Sequence, residues 1–304
     1  MEIIKVIPQG FCKGVIRAIK IAKETVQQYP NENVYILGMI VHNQYVVDAL
    51  TALGIQTIDE KGKTRLELLD KIDSGVVILT AHGTSQEVKD KAKEKGLIVV
   101  DATCLDVTKT EIAIKEHLDK GYEIFYIGKE NHPEANAMLS IDTNKIHLIP
   151  NEQIANTIDS KAKKLFLTNQ TTMSMMEVKQ WIDTLQKRYP QLEVQEEICT
   201  ATKMRQQAIY DLQDKNIDAM IIVGDPHSNN TRKLEDVAKK IGISHVKRIE
   251  TVQDIEYNEF INYDRIAITS GASTPTYLTN QVIKYLSSQG TTSKTIVIEQ
   301  LLPF

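Results

Sequence analysis

Three cysteines are the residues of this 304-residue chain best suited to binding a metal, and their spacing is nearly regular. Cys12, Cys104 and Cys199 lie 92 and 95 residues apart, and the chain has no others. Each follows a strand-like run ("EIIKVIPQGFC", "GLIVVDATC", "LEVQEEIC") and precedes a helical run that carries a basic residue: Arg17, Lys109 or Arg205. A lone cysteine in such a place is ordinarily a small buried hydrophobe. Three in the same place suggest thiolates that converge on one metal. Structural zinc sites want four ligands, often as close CxxC pairs, and no such pair exists here. Iron–sulfur clusters also usually take four cysteines. Three would leave one iron of a 4Fe–4S cluster without a protein ligand, and an open metal position is where a substrate binds in metal catalysis.

A second set of side chains suits an anion. His42, His82 and His132 each follow a strand and open a helix. One such histidine alone reads as a helix cap or a satisfied hydrogen bond. With Ser228, Asn230 and Ser273 they form a set of donors at helix N-termini, where backbone N–H groups and the helix dipole favour negative charge. There is no GxxxxGK[ST] loop and no GxGxxG after a strand, so a small phosphorylated or diphosphorylated substrate fits better than a nucleotide. "NHPEANAM" holds the one carboxylate in the right place, Glu134, two residues after His132. It reads either as a first-turn acid that favours the dipole or as a proton donor. Pro133 suits a first helical turn, and Thr171 and Thr172 of "NQTTMS" add hydroxyls that donate and accept. His117, His147 and His245 read as surface residues.

The elements that must position these groups repeat with them. Runs of Ile, Val and Leu alternate with amphipathic stretches almost throughout, the pattern of β-α units with parallel sheets. In each copy a second strand ends in glycine, at Gly38, Gly128 and Gly224, which follow their cysteines by 26, 24 and 25 residues. A third strand ends around Thr80, Thr168 and Thr269. The chain therefore reads as α/β: three repeated units with mostly parallel sheets, spanning 1–95, 96–190 and 191–304, the last with a C-terminal tail. Ligands of open parallel sheets bind beyond the carboxyl ends of the strands. A pseudo-threefold arrangement of such ends would enclose a polar central cavity.

Composition narrows the class. Hydrophobic residues make up 42% and charged residues 25%, as in soluble globular proteins. A net charge of −4 gives no reason to expect nucleic acid or an anionic membrane as partner. The N-terminus does not read as a signal peptide, and no apolar run approaches the roughly 18–20 residues that span a bilayer. An odd number of distant cysteines argues against a disulfide framework and for the reducing cytoplasm.

Taken in order, "GFCKGVIRAI", "IVHNQYVVDAL", "AHGTS", "DATCLDVTK", "HPEANAM", "NQTTMS", "ICTATKMRQ", "HSNNTRKL" and "SGASTP" resemble the 4-hydroxy-3-methylbut-2-enyl diphosphate reductases over nearly the whole chain. The resemblance implies three α/β domains around a central cavity with one 4Fe–4S cluster per chain, held by Cys12, Cys104 and Cys199. It implies that His42, His82, Ser228, Asn230 and Ser273 contact the diphosphate, with Asn229 and Thr172 beside them. It places His132, Glu134 and Thr171 around the substrate hydroxyl. Two departures are Met204, where a polar residue is expected before Arg205, and Asp225-Pro226 with Asn229 in a loop usually richer in serine. The implied reaction is reductive dehydroxylation of an allylic diphosphate to isopentenyl and dimethylallyl diphosphate. It takes two electrons, passed on by a donor such as ferredoxin or flavodoxin, and two protons. The competing readings are a non-redox hydro-lyase or synthase that uses an open cluster only as a Lewis acid, and a non-enzymatic metal sensor.

Overall fold

The computed structural model describes residues 1–304. The chain runs β1 (Glu2–Lys5), α1 (Lys13–Gln28), β2 (Val34–Leu37), α2 (Gln44–Thr51), β3 (Ile55–Ile58), α3 (Arg65–Leu69), β4 (Val76–Leu79), α4 (Gln86–Glu94) and β5 (Ile98–Asp101). It continues through α5 (Leu105–Asp119), β6 (Glu123–Ile127), α6 (Pro133–Leu139), β7 (Ile146–Ile149), α7 (Glu152–Thr157), β8 (Leu165–Asn169), α8 (Met175–Arg188) and β9 (Leu192–Val194). The last stretch holds α9 (Thr200–Tyr210), β10 (Ala219–Val223), α10 (Asn229–Lys240), β11 (His245–Ile249), β12 (Arg265–Ser270) and α11 (Thr276–Ser287). No helix is long and apolar enough to cross a membrane.

Three four-stranded sheets form, all parallel, with one strand order repeated: β3-β2-β4-β5, β7-β6-β8-β9 and β11-β10-β12-β1. The expected fold class is thus the observed one. The central strands are apolar without interruption, as strands covered on both faces must be: "VVIL" of β4 and "AMIIV" of β10 are buried at every residue. In β6, Phe125 and Ile127 pack on one side with Leu165, Leu167, Trp181 and Leu185. Ile124 and Tyr126 pack on the other with Phe166, Ala135 and Met138. Each second strand stops one residue before its glycine, and the amides of Gly38, Gly128 and Gly224 bond to the carbonyls of Ile58, Ile149 and Ile249 at 2.9, 3.2 and 2.7 Å.

The strand that leads to each cysteine is an edge strand of the sheet built from the residues before it: β5 beside β4, β9 beside β8. The third case joins the two ends of the chain. β1 pairs with β12 in the register Ile3↔Ile266 and Ile4↔Ala267. These edges are only half buried, unlike the strands they flank. By contact the chain divides into two compact units, Met1–Ile16 with Val41–Leu53 and Thr200–Phe304, and Arg17–Ile40 with Gly54–Cys199.

His117 is not a surface residue: its ring stacks flat on Phe166 with centroids 3.6 Å apart, and its Nδ1 lies 2.7 Å from the Ala113 carbonyl. The α5 face that carries it packs on the second sheet. His147 and His245 do sit at the edge strands β7 and β11, about one-third exposed, near Glu123 and Glu259.

Candidate active site

In the unit of Arg17–Ile40 and Gly54–Cys199, the chemistry gathers where strands end. Cys104 directly precedes α5 and Cys199 directly precedes α9. Their amides donate to the carbonyls of Ala81 and Thr171, each at 3.0 Å. These acceptors are equivalent: each lies two residues beyond the end of β4 or β8. Thr168 lies inside β8, whereas Thr80 lies just past β4, so strand ends and not the threonines define the repeat.

Glu134 is 1% exposed, at the first turn of α6. The Thr171 amide donates to its Oε1 at 2.7 Å and the Thr171 hydroxyl to its Oε2 at 2.9 Å. Burial, opposed by these two bonds and aided by Asp106, pushes its pKa from 4.5 up to about 7. His132 is the N-cap of α6, and its Nδ1 accepts from the Glu134 amide at 3.1 Å. That bond fixes the ring, which meets the His82 ring edge-on with centroids 5.5 Å apart. Thr172 Oγ1 accepts from Nε2 of the Gln170 side chain at 2.9 Å, and Gln170 Oε1 accepts from Lys129 N at 2.9 Å. Gln170 is fully buried and so ties the two turns together.

His82 rides on a turn that one side chain holds. Arg65 donates to the Gly83 carbonyl at 2.7 Å and to the hydroxyls of Thr84 and Thr80 at 2.5 and 2.6 Å. Burial brings its pKa down to about 10, so it keeps its charge at neutral pH. Nothing in the sequence signals this role, because the arginine stands alone between Thr64 and Leu66, far from the turn in sequence.

In the other unit, Cys12 directly precedes α1, and its amide donates to the Ala272 carbonyl at 3.0 Å, two residues beyond the end of β12. This is the third instance of the bond made by Cys104 and Cys199. Ser228 is the N-cap of α10, accepting from Thr231 N at 3.3 Å, and is buried with Asn229 and Asn230. Asn230 accepts from the Ala272 amide at 3.0 Å and donates to Thr202 Oγ1 at 3.2 Å. The turn before α10 leaves no room for a side chain: a Cβ on Gly224 would lie 2.6 Å from Thr231 Oγ1 and 2.8 Å from Thr274 Oγ1. Ser273 donates to the His42 carbonyl at 3.0 Å.

His42 and His82 do not open helices as expected: Asn43 caps α2 and Ser85 caps α4, leaving His132 as the one histidine cap. Both sequence departures are mild in structure. Met204 is 53% exposed on α9, and Asp225 closes its own turn by accepting from His227 N at 2.7 Å.

The family model that matches the chain is the LytB protein, over residues 3–287. A 4-hydroxy-3-methylbut-2-enyl diphosphate reductase of Geobacillus sp. (strain WCH70) is 45% identical, over 94% of this chain and 90% of its own. The protein of that name from Bacillus subtilis (strain 168) is 41% identical, over 100% of this chain and 98% of its own. Among solved structures, the E-1-hydroxy-2-methyl-but-2-enyl-4-diphosphate reductase of Plasmodium falciparum superposes with a TM-score of 0.86 at 30% identity, covering 94% of this chain and 87% of that one. A second structure, described as an (E)-4-hydroxy-3-methyl-but-2-enyl diphosphate reductase and the terminal enzyme of the non-mevalonate pathway, is also 30% identical, with a TM-score of 0.65.

Proposed function

The chain belongs to the LytB family, and on that premise we propose that it reduces 4-hydroxy-3-methylbut-2-enyl diphosphate to isopentenyl and dimethylallyl diphosphate. The carbon–oxygen bond of the allylic alcohol breaks, a carbon–hydrogen bond forms, and two electrons and two protons are consumed as water leaves. The observation that carries this reading is the match, nearly end to end, to relatives that bear the reductase name. The same match disfavours a non-redox hydro-lyase.

Cys12, Cys104 and Cys199 are the residues to hold a 4Fe–4S cluster. They are half buried, none is in a disulfide, and each sits directly before a helix with its amide tied by the same bond. Such a set of soft thiolates fits iron–sulfur chemistry. When bound, the cluster would supply electrons and one open iron as a Lewis acid.

The remaining work falls to side chains. Glu134 in its acid form delivers a proton to the leaving hydroxyl, and Thr171 aims its two oxygens. His132, fixed by the Glu134 amide, borders the same place. His42, His82, Thr172, Ser228, Asn229, Asn230 and Ser273, with the N-terminus of α10, hold the diphosphate. The electrons come from a one-electron donor such as ferredoxin or flavodoxin, and the thiolates suit the reducing cytoplasm. The repeated unit is proposed to run 1–95, 96–190 and 191–304, one cysteine in each.

Metal and sulfide analysis of anaerobically purified protein, with turnover measured with and without reductant, tests the proposal. About four irons with sulfide per chain and strictly reductant-dependent product are expected. Zinc without sulfide, or product formed without reductant, overturns it.

A further inference from the structure

The helices that follow the cysteines carry basic residues that the reaction leaves unused. Arg17, Lys109 and Arg205 lie 5, 5 and 6 residues after Cys12, Cys104 and Cys199. Two of them reach the loop of a different cysteine. Arg17, behind Cys12 in the chain, donates from Nη1 to the carbonyl of Thr103, the residue directly before Cys104, at 2.8 Å. Arg205, behind Cys199, donates from Nη2 to the carbonyl of Gly10, two residues before Cys12, at 2.6 Å. Its Nη1 holds the Ala201 carbonyl of its own helix at 3.1 Å, and the residue is 3% exposed.

Both accepting loops are fixed on their other sides. Gly10 has φ +75° and a Cβ there would lie 2.0 Å from Thr276 Oγ1, while its amide donates to Ser270 Oγ at 2.8 Å. The Thr103 amide and hydroxyl donate to Asp101 Oδ1 at 2.9 and 2.5 Å, and Asp101 Oδ2 pairs with Lys89 at 3.1 Å. Lys109 departs from the pattern: its side chain is 67% exposed, 3.7 Å from Asp106.

We propose that Arg17 and Arg205 are positioning residues for the cluster, each fixing the loop of the cysteine in the next repeat and setting a permanent positive charge one or two residues from it, whereas Lys109 does neither. The inference rests on the reading that the cysteines hold an iron–sulfur cluster. A guanidinium stays protonated in any protein environment. Partners behind metal ligands typically change metal affinity by 10- to 100-fold, and hydrogen bonding and local charge tune cluster potentials. Removing a positive charge favours the oxidised cluster and so makes the potential more negative.

The test compares wild type with Arg17→Met, Arg205→Met, Arg17→Lys and Lys109→Met, all anaerobically reconstituted. Four quantities are read: iron and sulfide per chain, the rate of cluster loss to an iron chelator, the midpoint potential, and the melting temperature of the apoprotein. Arg17→Met and Arg205→Met should lose the cluster about 10- to 100-fold faster and shift the midpoint to more negative values. Arg17→Lys keeps the charge and should restore the potential, and Lys109→Met should match wild type. Arg17→Met with wild-type cluster loss and potential overturns the inference, even if its apoprotein melts lower, for the arginine would then be structural only. So does a Lys109→Met variant as impaired as Arg17→Met. If Arg205→Met does not fold, the half-buried Arg17 decides alone. A wild-type chain that takes up no iron and sulfide overturns the cluster reading itself, a result distinct from a loaded wild type with unaffected variants.

Discussion

At the scale of the residue, Glu134 decides whether the site can do acid chemistry. Its burial favours the neutral acid, and the two bonds from Thr171 favour the carboxylate without winning. A group that titrates at about 7 is half protonated near neutrality, as a general acid should be. Turnover should therefore fall as pH rises through about 7. Glu134→Gln should keep the cluster and bind substrate, yet turn over at least about a hundredfold more slowly, with that limb of the pH profile gone. Retained turnover would remove Glu134 from the mechanism. The same shift bears on stability. The folded chain holds this proton up to about pH 7 and the unfolded chain loses it near 4.5, so the folded state binds more protons between those values. Apoprotein stability from this group is full below 4.5 and is lost as pH rises through about 7, a change of about 3 kcal/mol. Urea unfolding on both sides of that window should show the loss in wild type and not in Glu134→Gln.

At the scale of the element, the turns beyond the strands carry the candidate groups, and single side chains hold the turns. Arg65 spans the turn from Thr80 to Thr84 with three bonds, and His82 lies within that turn. Hydrogen bonds to a charged group are worth about 1.5–3 kcal/mol each. Arg65→Met should raise KM by about tenfold or more with little change in kcat, as His82→Ala should. Because Arg65 acts through His82, the double variant should bind substrate little worse than His82→Ala alone. Effects on KM that multiply would show that Arg65 acts elsewhere.

At the scale of the whole molecule, the governing fact is repetition. One strand order occurs three times, and the three cysteine amides bond at the same 3.0 Å to carbonyls two residues past a strand end. Equivalent positions should have equivalent consequences. Cys12→Ser, Cys104→Ser and Cys199→Ser should each lose the cluster, with little difference in residual iron and sulfide. One variant that keeps full iron content and activity would refute the assignment of three equal ligands. The repeat in the sheets also explains why β1 must come back from the start of the chain: without it the last sheet would lack the strand that β5 and β9 provide to the others.

The sequence by itself determined the elements and the candidate chemistry. Apolar runs and turn glycines act locally, so β2, β6 and β10 stop one residue before Gly38, Gly128 and Gly224, where the glycines are read. The cysteine spacing and the order of motifs name the candidate groups, because those are side chains with distinctive chemistry. Only the tertiary structure decided what holds them. The pairing of Lys5 with Ile268 joins residues 263 apart through backbone groups common to every sequence. Thr171 meets Glu134 across two strands, and neither residue alone signals the other. The acceptors that fix the cysteine loops, at Gly10, Ala81, Thr103, Thr171 and Ala272, are main-chain carbonyls. A carbonyl has no letter of its own in a sequence, so these bonds come into view only when the fold brings donor and acceptor together.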